Sequence, residues 1–221
     1  MTSVRVATFN IRHGEGTDGV IDLERVAAAI TATGAELVAL QEVDRSMERT
    51  GGVDQPGTLE RLTGLPVVFR RIVKLQGGDY GIALAGRDLQ STSFLRLPRL
   101  GDEAPRALLS ATWRGVRVFS THLATERKVR EEQTRFLAER AKGARRPALV
   151  IGDLNQERPA LGPLLDAGFS PGPGEVPTFG KARRRQIDFV LAGPGLEVVR
   201  TWTIMSDASD HVPLAAEIDI P

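Results

Sequence analysis

Gly152-Asp153-Leu154-Asn155 and Ser209-Asp210-His211 are the two stretches that decide the fold of this chain. The first follows the apolar run 148–151, and the second precedes the apolar run 212–216. Each stretch therefore places a carboxylate and a second polar side chain at the end of a predicted strand. Strand ends hold such groups rigidly and can direct them into one cleft.

Further polar residues lie at the edges of other apolar runs. Taken singly, such a residue is usually a turn or structural residue, so only the combination of these residues indicates a functional site. Together the polar residues come from six separate segments, and each segment offers a group that can bind a metal or a phosphate. The further residues are Asn10, Glu42, His122 and Asp188.

The composition is that of an ordinary soluble globular protein. The 221 residues are 41% hydrophobic and 26% charged, and we expect one domain over residues 1–221. The net charge of +1 argues against a dedicated nucleic-acid binder, and the lack of cysteine excludes disulfides and thiolate zinc sites. We find neither a signal peptide nor a membrane span, so we expect a cytoplasmic protein with no integral membrane segment. No obligate protein partner is evident.

Strand patterns outnumber helix patterns and are often joined by short turns, which favours a mixed sheet over a doubly wound parallel sheet. The first helix is predicted to begin after an Asp22 cap and to stop at Gly34, and the second to begin after Thr125 and stop at Gly143. The stretch 168–180 is expected to be a surface loop. Strands are predicted at 4–9, 36–41, 67–70, 81–85, 107–113, 116–120, 148–151, 186–191, 197–203 and 213–218, and shorter helices at 57–63 and 158–167.

The residue types at these positions suit chemistry at a phosphate. Asp153 and Asn155 are two positions apart, so on an extended strand end they share a face, where one polarises water and the other holds it or the phosphate. Asp188 lies inside an apolar run and needs a partner, since burying an unpaired carboxylate is costly; His211 is the candidate. The Glu42 carboxylate with an amide oxygen would suit Mg²⁺.

Six motifs resemble, in order and spacing, those of the endonuclease/exonuclease/phosphatase superfamily, and they extend over nearly the whole chain. This resemblance implies an α/β fold, a four-layer α/β/β/α sandwich of two mixed β-sheets flanked by helices, with the site at one end. It also implies hydrolysis of a phosphoester by water with Mg²⁺ or Mn²⁺ as cofactor. The motifs are Thr8-Phe9-Asn10-Ile11, Leu40-Gln41-Glu42-Val43-Asp44, Ser120-Thr121-His122-Leu123, Gly152-Asp153-Leu154-Asn155, Ile187-Asp188-Phe189-Val190 and Ser209-Asp210-His211-Val212-Pro213.

The resemblance implies metal-site roles for three residues. Glu42 would bind the metal, and Asn10 would support the metal or contact phosphate. Asp210 would complete the acidic ring near the metal.

It also implies catalytic roles for five residues. Asp153 would orient or deprotonate the attacking water, and Asn155 would hold the phosphate. His211, backed by Asp188, would contact the phosphoryl oxygens or share the role of base. The sequence leaves open whether Asp153 or His211 takes the proton. His122 would stabilise or protonate the phosphate side.

Substrate contacts are less specific in the sequence. Arg12 and His13 follow the site Asn10 closely, and loop residues beside a site often carry specificity. Many relatives have an amide where this chain has Ile82, so Tyr80 is the candidate for the missing polar contact. Arg106 matches a position where relatives often carry a basic residue.

The substrate is expected to be a phosphoester, namely a small molecule, a lipid head group or a nucleic acid. The near-neutral charge favours a small or flexible substrate. An alternative is a nuclease that grips the backbone of DNA or RNA through basic residues. An inactive scaffold is the third alternative, and the complete set of polar residues argues against it. These basic residues are Arg12, Arg70, Arg71, Arg183, Arg184 and Arg185, and the last three belong to a basic cluster that begins at Lys181.

Overall fold

A computed structural model describes residues 2–180 and 184–221. Two members of the predicted basic cluster, Lys181 and Arg183, lie outside the described residues. No helix in the described part of the chain is long and apolar enough to cross a membrane.

The strands form two six-stranded mixed sheets. In chain order they are β1 (Thr2–Asn10), β2 (Leu37–Arg45), β3 (Val67–Leu75), β4 (Gly78–Gly86), β5 (Gln90–Arg96), β6 (Ala107–Trp113), β7 (Val116–His122), β8 (Ala148–Asp153), β9 (Ser170–Pro171), β10 (Asp188–Ala192), β11 (Glu197–Thr203) and β12 (Leu214–Ile220). The first sheet has the order β11-β12-β1-β2-β4-β3, and the second has the order β5-β6-β7-β8-β10-β9. Each sheet contains one parallel pair, β1 with β2 and β7 with β8.

The helices cover the outer faces of the sheets. They are α1 (Leu23–Ala32), α2 (Gln55–Thr63), α3 (Arg127–Lys142) and α4 (Gly162–Asp166). One apolar core lies between the sheets, a second lies between the first sheet and α1 and α2, and a third lies between the second sheet and α3 and α4. These layers confirm the predicted four-layer α/β sandwich. Central strands are buried on both faces, which explains why they read as nearly continuous apolar runs.

Helix starts agree with the prediction in one case and differ in the other. The Asp22 carboxylate caps α1 by accepting hydrogen bonds from the backbone nitrogens of Glu24 and Arg25. The predicted Thr125 cap of α3 is wrong, because the Glu126 carboxylate accepts the Val129 backbone N–H instead. The predicted helix at 158–167 is a 3₁₀ turn followed by the short α4, and prolines in both pieces interrupt a longer helix.

Two strands escape the sequence pattern. β5 is an edge strand whose residues are mostly exposed and polar, so it lacks the apolar run that marks the other strands. β9 has only two residues and lies inside the predicted surface loop 168–180, where it pairs with β10. That loop prediction is also wrong at Thr178, which is completely buried.

Candidate active site

The polar residues at the strand ends meet at one end of the sandwich. In the second sheet, His122 of β7 lies directly beside Asp153 of β8, and Asp153 lies beside Asp188 of β10. Asn10 ends β1 in the first sheet and reaches across to Asp153. The two sheets therefore supply opposite sides of one polar cluster.

One oxygen of Asp153, Oδ2, is the centre of this cluster. It accepts a hydrogen bond from Asn10 Nδ2 at 3.0 Å, and it lies 3.4 Å from His122 Nε2 and 3.7 Å from His211 Nε2. The other oxygen accepts the Asn155 backbone N–H at 2.8 Å. Burial, followed by the charge of Asp188, raises the pKa of Asp153 to about 7.

Asn10 joins the Asp153 carboxylate to that of Glu42. Its Nδ2 also donates to Glu42 Oε1 at 3.0 Å, while its Oδ1 accepts the Arg12 backbone N–H at 3.1 Å. In this orientation Asn10 presents N–H groups to both acids, and its carbonyl oxygen is turned away from them. The arrangement fits a residue that positions the two carboxylates.

His211 is held against a buried carboxylate. Its Nδ1 lies 2.9 Å from Asp188 Oδ2. The Phe179 ring packs against the imidazole, with the two ring centroids 4.6 Å apart. Burial alone would lower the pKa of His211, but the charge of Asp188 and its hydrogen bond outweigh burial and raise the pKa to about 9. The imidazole is therefore protonated at neutral pH, donating from Nδ1 to Asp188 and presenting Nε2–H to Asp153.

His122 has the opposite protonation state. The guanidinium Nη1 of Arg106 lies 2.9 Å from His122 Nδ1, so the ring accepts at Nδ1 and carries its proton on Nε2. Burial and then the Arg106 charge hold the pKa of His122 well below its usual range. One neutral and one charged imidazole thus face the same Asp153 oxygen.

Unusual backbone conformations place the side chains around this centre. Glu42 has a φ of +57° and lies within a register shift between Leu40 and Val43 in the pairing of β2 with β4, which takes it out of the regular ladder. Asn155 has a φ of +50°, and its Nδ2 donates to the Leu123 carbonyl at 2.9 Å. Non-glycine residues with positive φ are uncommon and concentrate at functional sites.

The predicted substrate residues are arranged around the rim. The Arg12 and His13 side chains both turn to Glu15, at 3.0 Å and 3.4 Å, and neither reaches Asp153. Tyr80 is half-buried, and burial followed by the nearby Glu42 charge raises its pKa above the usual range. Contact of these residues with substrate stays a prediction.

Asp210 lies beside the cluster and outside its centre. It is half-buried, and its Oδ1 accepts a hydrogen bond from Ser209 Oγ at 3.2 Å. In the described part of the chain, the three side chains whose potential ligand atoms lie within 4.8 Å of one another are instead Asp153, Asp188 and His211. The predicted role of Asp210 near a metal stays a prediction.

Several supporting residues were missed by the sequence analysis. The Thr178 carbonyl oxygen accepts a hydrogen bond from the Val212 N–H at 2.8 Å, and Thr178 precedes Phe179, so this pair fixes the position of His211. Ser209 Oγ donates to the Asn10 carbonyl at 2.8 Å and so ties the segment before β12 to the end of β1, its neighbouring strand. In the sequence, the only signal for Thr178 and Phe179 is an aromatic residue within a Gly- and Pro-rich stretch. Ser209 belongs to the motif 209–213, but its residue type alone does not predict this contact.

The donor atoms of the cluster fit a divalent cation such as Mg²⁺. Such hard cations prefer carboxylate oxygens and use few protein ligands, with water and phosphate filling the remaining positions. The Glu42 carboxylate is half-buried, and Asp188 Oδ1 is buried with no hydrogen-bond partner among the described residues. A buried carboxylate oxygen without a partner is costly, and a cation would satisfy it.

Comparison with known proteins gives a consistent result. The sequence profile described as "Endonuclease/Exonuclease/phosphatase family" matches residues 7–211. A search of curated proteins gave no match.

Solved structures share the fold over the whole chain. An endonuclease/exonuclease/phosphatase from Beutenbergia cavernae is 26% identical with a TM-score of 0.85, covering 100% of this chain and 72% of that one. A mannosyl-6-phosphatase from Bacteroides thetaiotaomicron is 17% identical, with a TM-score of 0.79 and coverage of 98% and 100%. Truncated TDP2 from Caenorhabditis elegans is 20% identical, with a TM-score of 0.73 and coverage of 98% and 97%.

Proposed function

Because the chain belongs to the endonuclease/exonuclease/phosphatase family, we propose that it hydrolyses phosphoester bonds with a divalent metal ion, Mg²⁺ or Mn²⁺. The observation that carries this proposal is the convergence of Asn10, His122 and His211 on the single oxygen Oδ2 of Asp153. The structural likeness to a mannosyl-6-phosphatase and to TDP2 supports the shared fold.

The protonation states favour Asp153 as the group that accepts a proton from the attacking water. His211 already carries a proton, because Asp188 raises its pKa to about 9. Asp153 has a pKa of about 7, which is well placed for a general base that works near neutral pH. When the environments of two neighbouring groups shift their pKa values apart, the group that keeps its proton acts as the acid and the other group acts as the base.

The two imidazoles suit different parts of the phosphoryl group. His211 presents a charged N–H, which stabilises negative charge that develops on phosphoryl oxygens. His122 presents a neutral N–H, and Arg106 behind it keeps that tautomer. Asn155 is held by Leu123 and by Asp153, so we assign it to positioning the phosphate side of the site.

Glu42 is the residue we assign to the metal, with Asn10 aligning it and Asp210 at the edge of the acidic group. The bound cation would neutralise phosphate charge and lower the pKa of a coordinated water. The protein's own contribution is to fix the acids before substrate arrives, which removes a reorganisation cost from the reaction.

A substrate panel with three conditions tests the proposal. Purified protein is incubated with Mg²⁺, Mn²⁺ or EDTA and with p-nitrophenyl phosphate, bis-p-nitrophenyl phosphate, plasmid DNA, RNA, sphingomyelin and inositol phosphates. We expect metal-dependent release of product that falls by about 100-fold or more in Glu42→Gln and His211→Gln.

The matched control is Glu36→Gln, an exposed acid paired with Arg114 away from the strand ends that form the site. It removes the same charge as Glu42→Gln and should leave turnover unchanged. Equal activity in EDTA, or full activity in the His211 variant, would refute the mechanism. Cleavage of DNA or RNA alone would select the nuclease alternative, and a folded protein that cleaves nothing would point to the scaffold alternative.

A further inference from the structure

A basic cavity opens beside the active site, between the edge strands of the two sheets. Its volume is about 480 Å³, and it lies between β3 and the segment that leads from β5 into β6. β3 and β5 are the outermost strands on the same side of the two sheets. Five basic residues line the cavity: Arg71, Lys74, Arg96, Arg99 and Arg106.

The positive charge of this cavity is only slightly neutralised. No acidic residue lines it, and Lys74, Arg96 and Arg99 form no ion pair within residues 2–180 and 184–221. Arg71 contacts Asp79 at 3.3 Å, but Asp79 is shared with Arg45, which binds it more closely at 2.7 Å. The net charge of the whole protein is only +1, so the positive charge of this cavity is a local excess of basic over acidic residues.

Arg106 connects the cavity to the catalytic cluster. Its Nη1 contacts His122, and its buried Nε has no hydrogen-bond partner among the described residues. Arg96 lies beside it, because Leu97 N–H bonds to the Arg106 carbonyl and Arg96 pairs with Ala107. An anion held by these guanidinium groups would therefore be a close neighbour of a phosphate at His122.

The shape and lining of the cavity distinguish between ligand classes. Its volume is in the range of small-molecule sites, which is about 300–1,000 Å³. Among the residues that the structure describes, no aromatic side chain lines it, whereas sites for single-stranded nucleic acid commonly use aromatic rings on which bases stack. One guanidinium group can donate two parallel hydrogen bonds to two oxygens of a phosphate, which fixes the geometry of the contact.

We propose that this cavity binds a second phosphate of the substrate, so that the preferred substrate is a small ester carrying at least two phosphate groups. The scissile phosphate lies at Asp153, His122 and His211, and the second phosphate lies against Arg96, Arg99 and Lys74. This inference rests on the proposed phosphoesterase function.

Binding to metal-free protein tests the cavity without turnover. Inorganic tripolyphosphate and orthophosphate are titrated by calorimetry in EDTA into the wild type, the variant Arg96→Gln/Arg99→Gln and the control Arg5→Gln/Arg200→Gln. The control removes the same charge from β1 and β11, away from the cavity. We expect the tripolyphosphate affinity to fall about 10-fold or more in the cavity variant only.

Kinetics link the cavity to the reaction. The ratio of kcat/KM for fructose 1,6-bisphosphate to that for fructose 6-phosphate is compared in the same three proteins. We expect the ratio to fall in the cavity variant, because kcat/KM for fructose 1,6-bisphosphate decreases while kcat/KM for fructose 6-phosphate stays the same.

The two readouts separate this inference from the proposed function. Turnover with unchanged tripolyphosphate affinity and an unchanged ratio would overturn the second-phosphate site and leave the phosphoesterase intact. Loss of tripolyphosphate affinity in the cavity variant, in a protein that hydrolyses no ester, would refute the phosphoesterase and retain the anion site. Single-stranded DNA bound more tightly than tripolyphosphate, with the same loss in the variant, would overturn the small-ester class.

Discussion

At the scale of single residues, two imidazoles that share one carboxylate neighbour differ in charge. His211 has a buried acid behind it, and His122 has a guanidinium behind it. Burial lowers the pKa of both rings, and the Arg106 charge lowers the pKa of His122 further. At His211 the Asp188 carboxylate outweighs burial and raises the pKa, so only this ring is charged.

The stability of metal-free protein should depend on pH through His211. Its folded pKa of about 9 exceeds the unfolded value of roughly 6.5, so the folded state holds the proton more tightly. This stabilisation is fully present below about pH 6.5 and is lost as the pH rises through about 9. We expect the free energy of unfolding, measured with urea in EDTA, to fall by an amount on the order of 3 kcal/mol over that window.

The variant His211→Gln provides the comparison, since it removes the titrating group. Its free energy of unfolding should change less over the same pH range, and the remaining change should come from Asp153, whose pKa of about 7 lies at the lower end of this window. His122 does not interfere, because above about pH 6.5 it is largely neutral in both states. A wild-type protein whose stability is independent of pH there would contradict the assigned charge of His211.

At the scale of elements, the site depends on how closely β7 and β8 approach. Gly152 precedes Asp153 and has a φ of +148°, and a Cβ at this position would lie 2.0 Å from the Thr121 carbonyl oxygen. No side chain fits there without separating the parallel pair that aligns His122 with Asp153. The glycine in the motif is thus a packing requirement of the sheet.

Gly152→Ala should destabilise the protein by more than about 2 kcal/mol, because the strands have to move apart. The control is Gly162→Ala. Gly162 is the first residue of α4 and has helical φ and ψ, and a Cβ there would meet no atom within 4 Å, so the change in stability should be small. Urea unfolding of both variants measures the difference. Similar stabilities for the two variants would mean that the second sheet tolerates a wider spacing.

At the scale of the whole molecule, the site exists only where the two sheets meet. Glu42 and Asn10 come from the first sheet, and Asp153, Asp188 and His122 come from the second. A cation held by Glu42 at this site would bind the folded chain and not the unfolded chain, because Asn10 aligns that carboxylate with the second sheet only after folding. Metal affinity and global stability are therefore linked.

Mg²⁺ should raise the Tm of the wild type by several degrees. At a concentration about 100 times its Kd, such a ligand stabilises by roughly 2.7 kcal/mol. The increase should be much smaller in Glu42→Gln, while the control Glu36→Gln should behave like the wild type. Calorimetric melting with and without Mg²⁺ measures it, and identical shifts in the wild type and Glu42→Gln would exclude Glu42 as a metal residue.

Most of the fold could be predicted from the chain because buried strands are continuous apolar runs. The exceptions have physical causes. β5 is an exposed edge strand without that pattern, and β9 forms only because β10 lies next to it. The Thr125 cap was wrong because Glu126 uses a longer side chain to reach the same kind of backbone N–H.

The sequence by itself located Asn10, His122 and Asp153 at strand ends, since each follows an apolar run directly. The predicted strand end at Glu42 is wrong, because β2 continues through a register shift to Arg45. The sequence paired Asp188 with His211, and the structure has that hydrogen bond. Only the tertiary structure decided the convergence on Asp153 Oδ2, the two protonation states and the basic cavity beside Arg106. These depend on distances between residues far apart in the chain and on burial, which local sequence patterns do not contain.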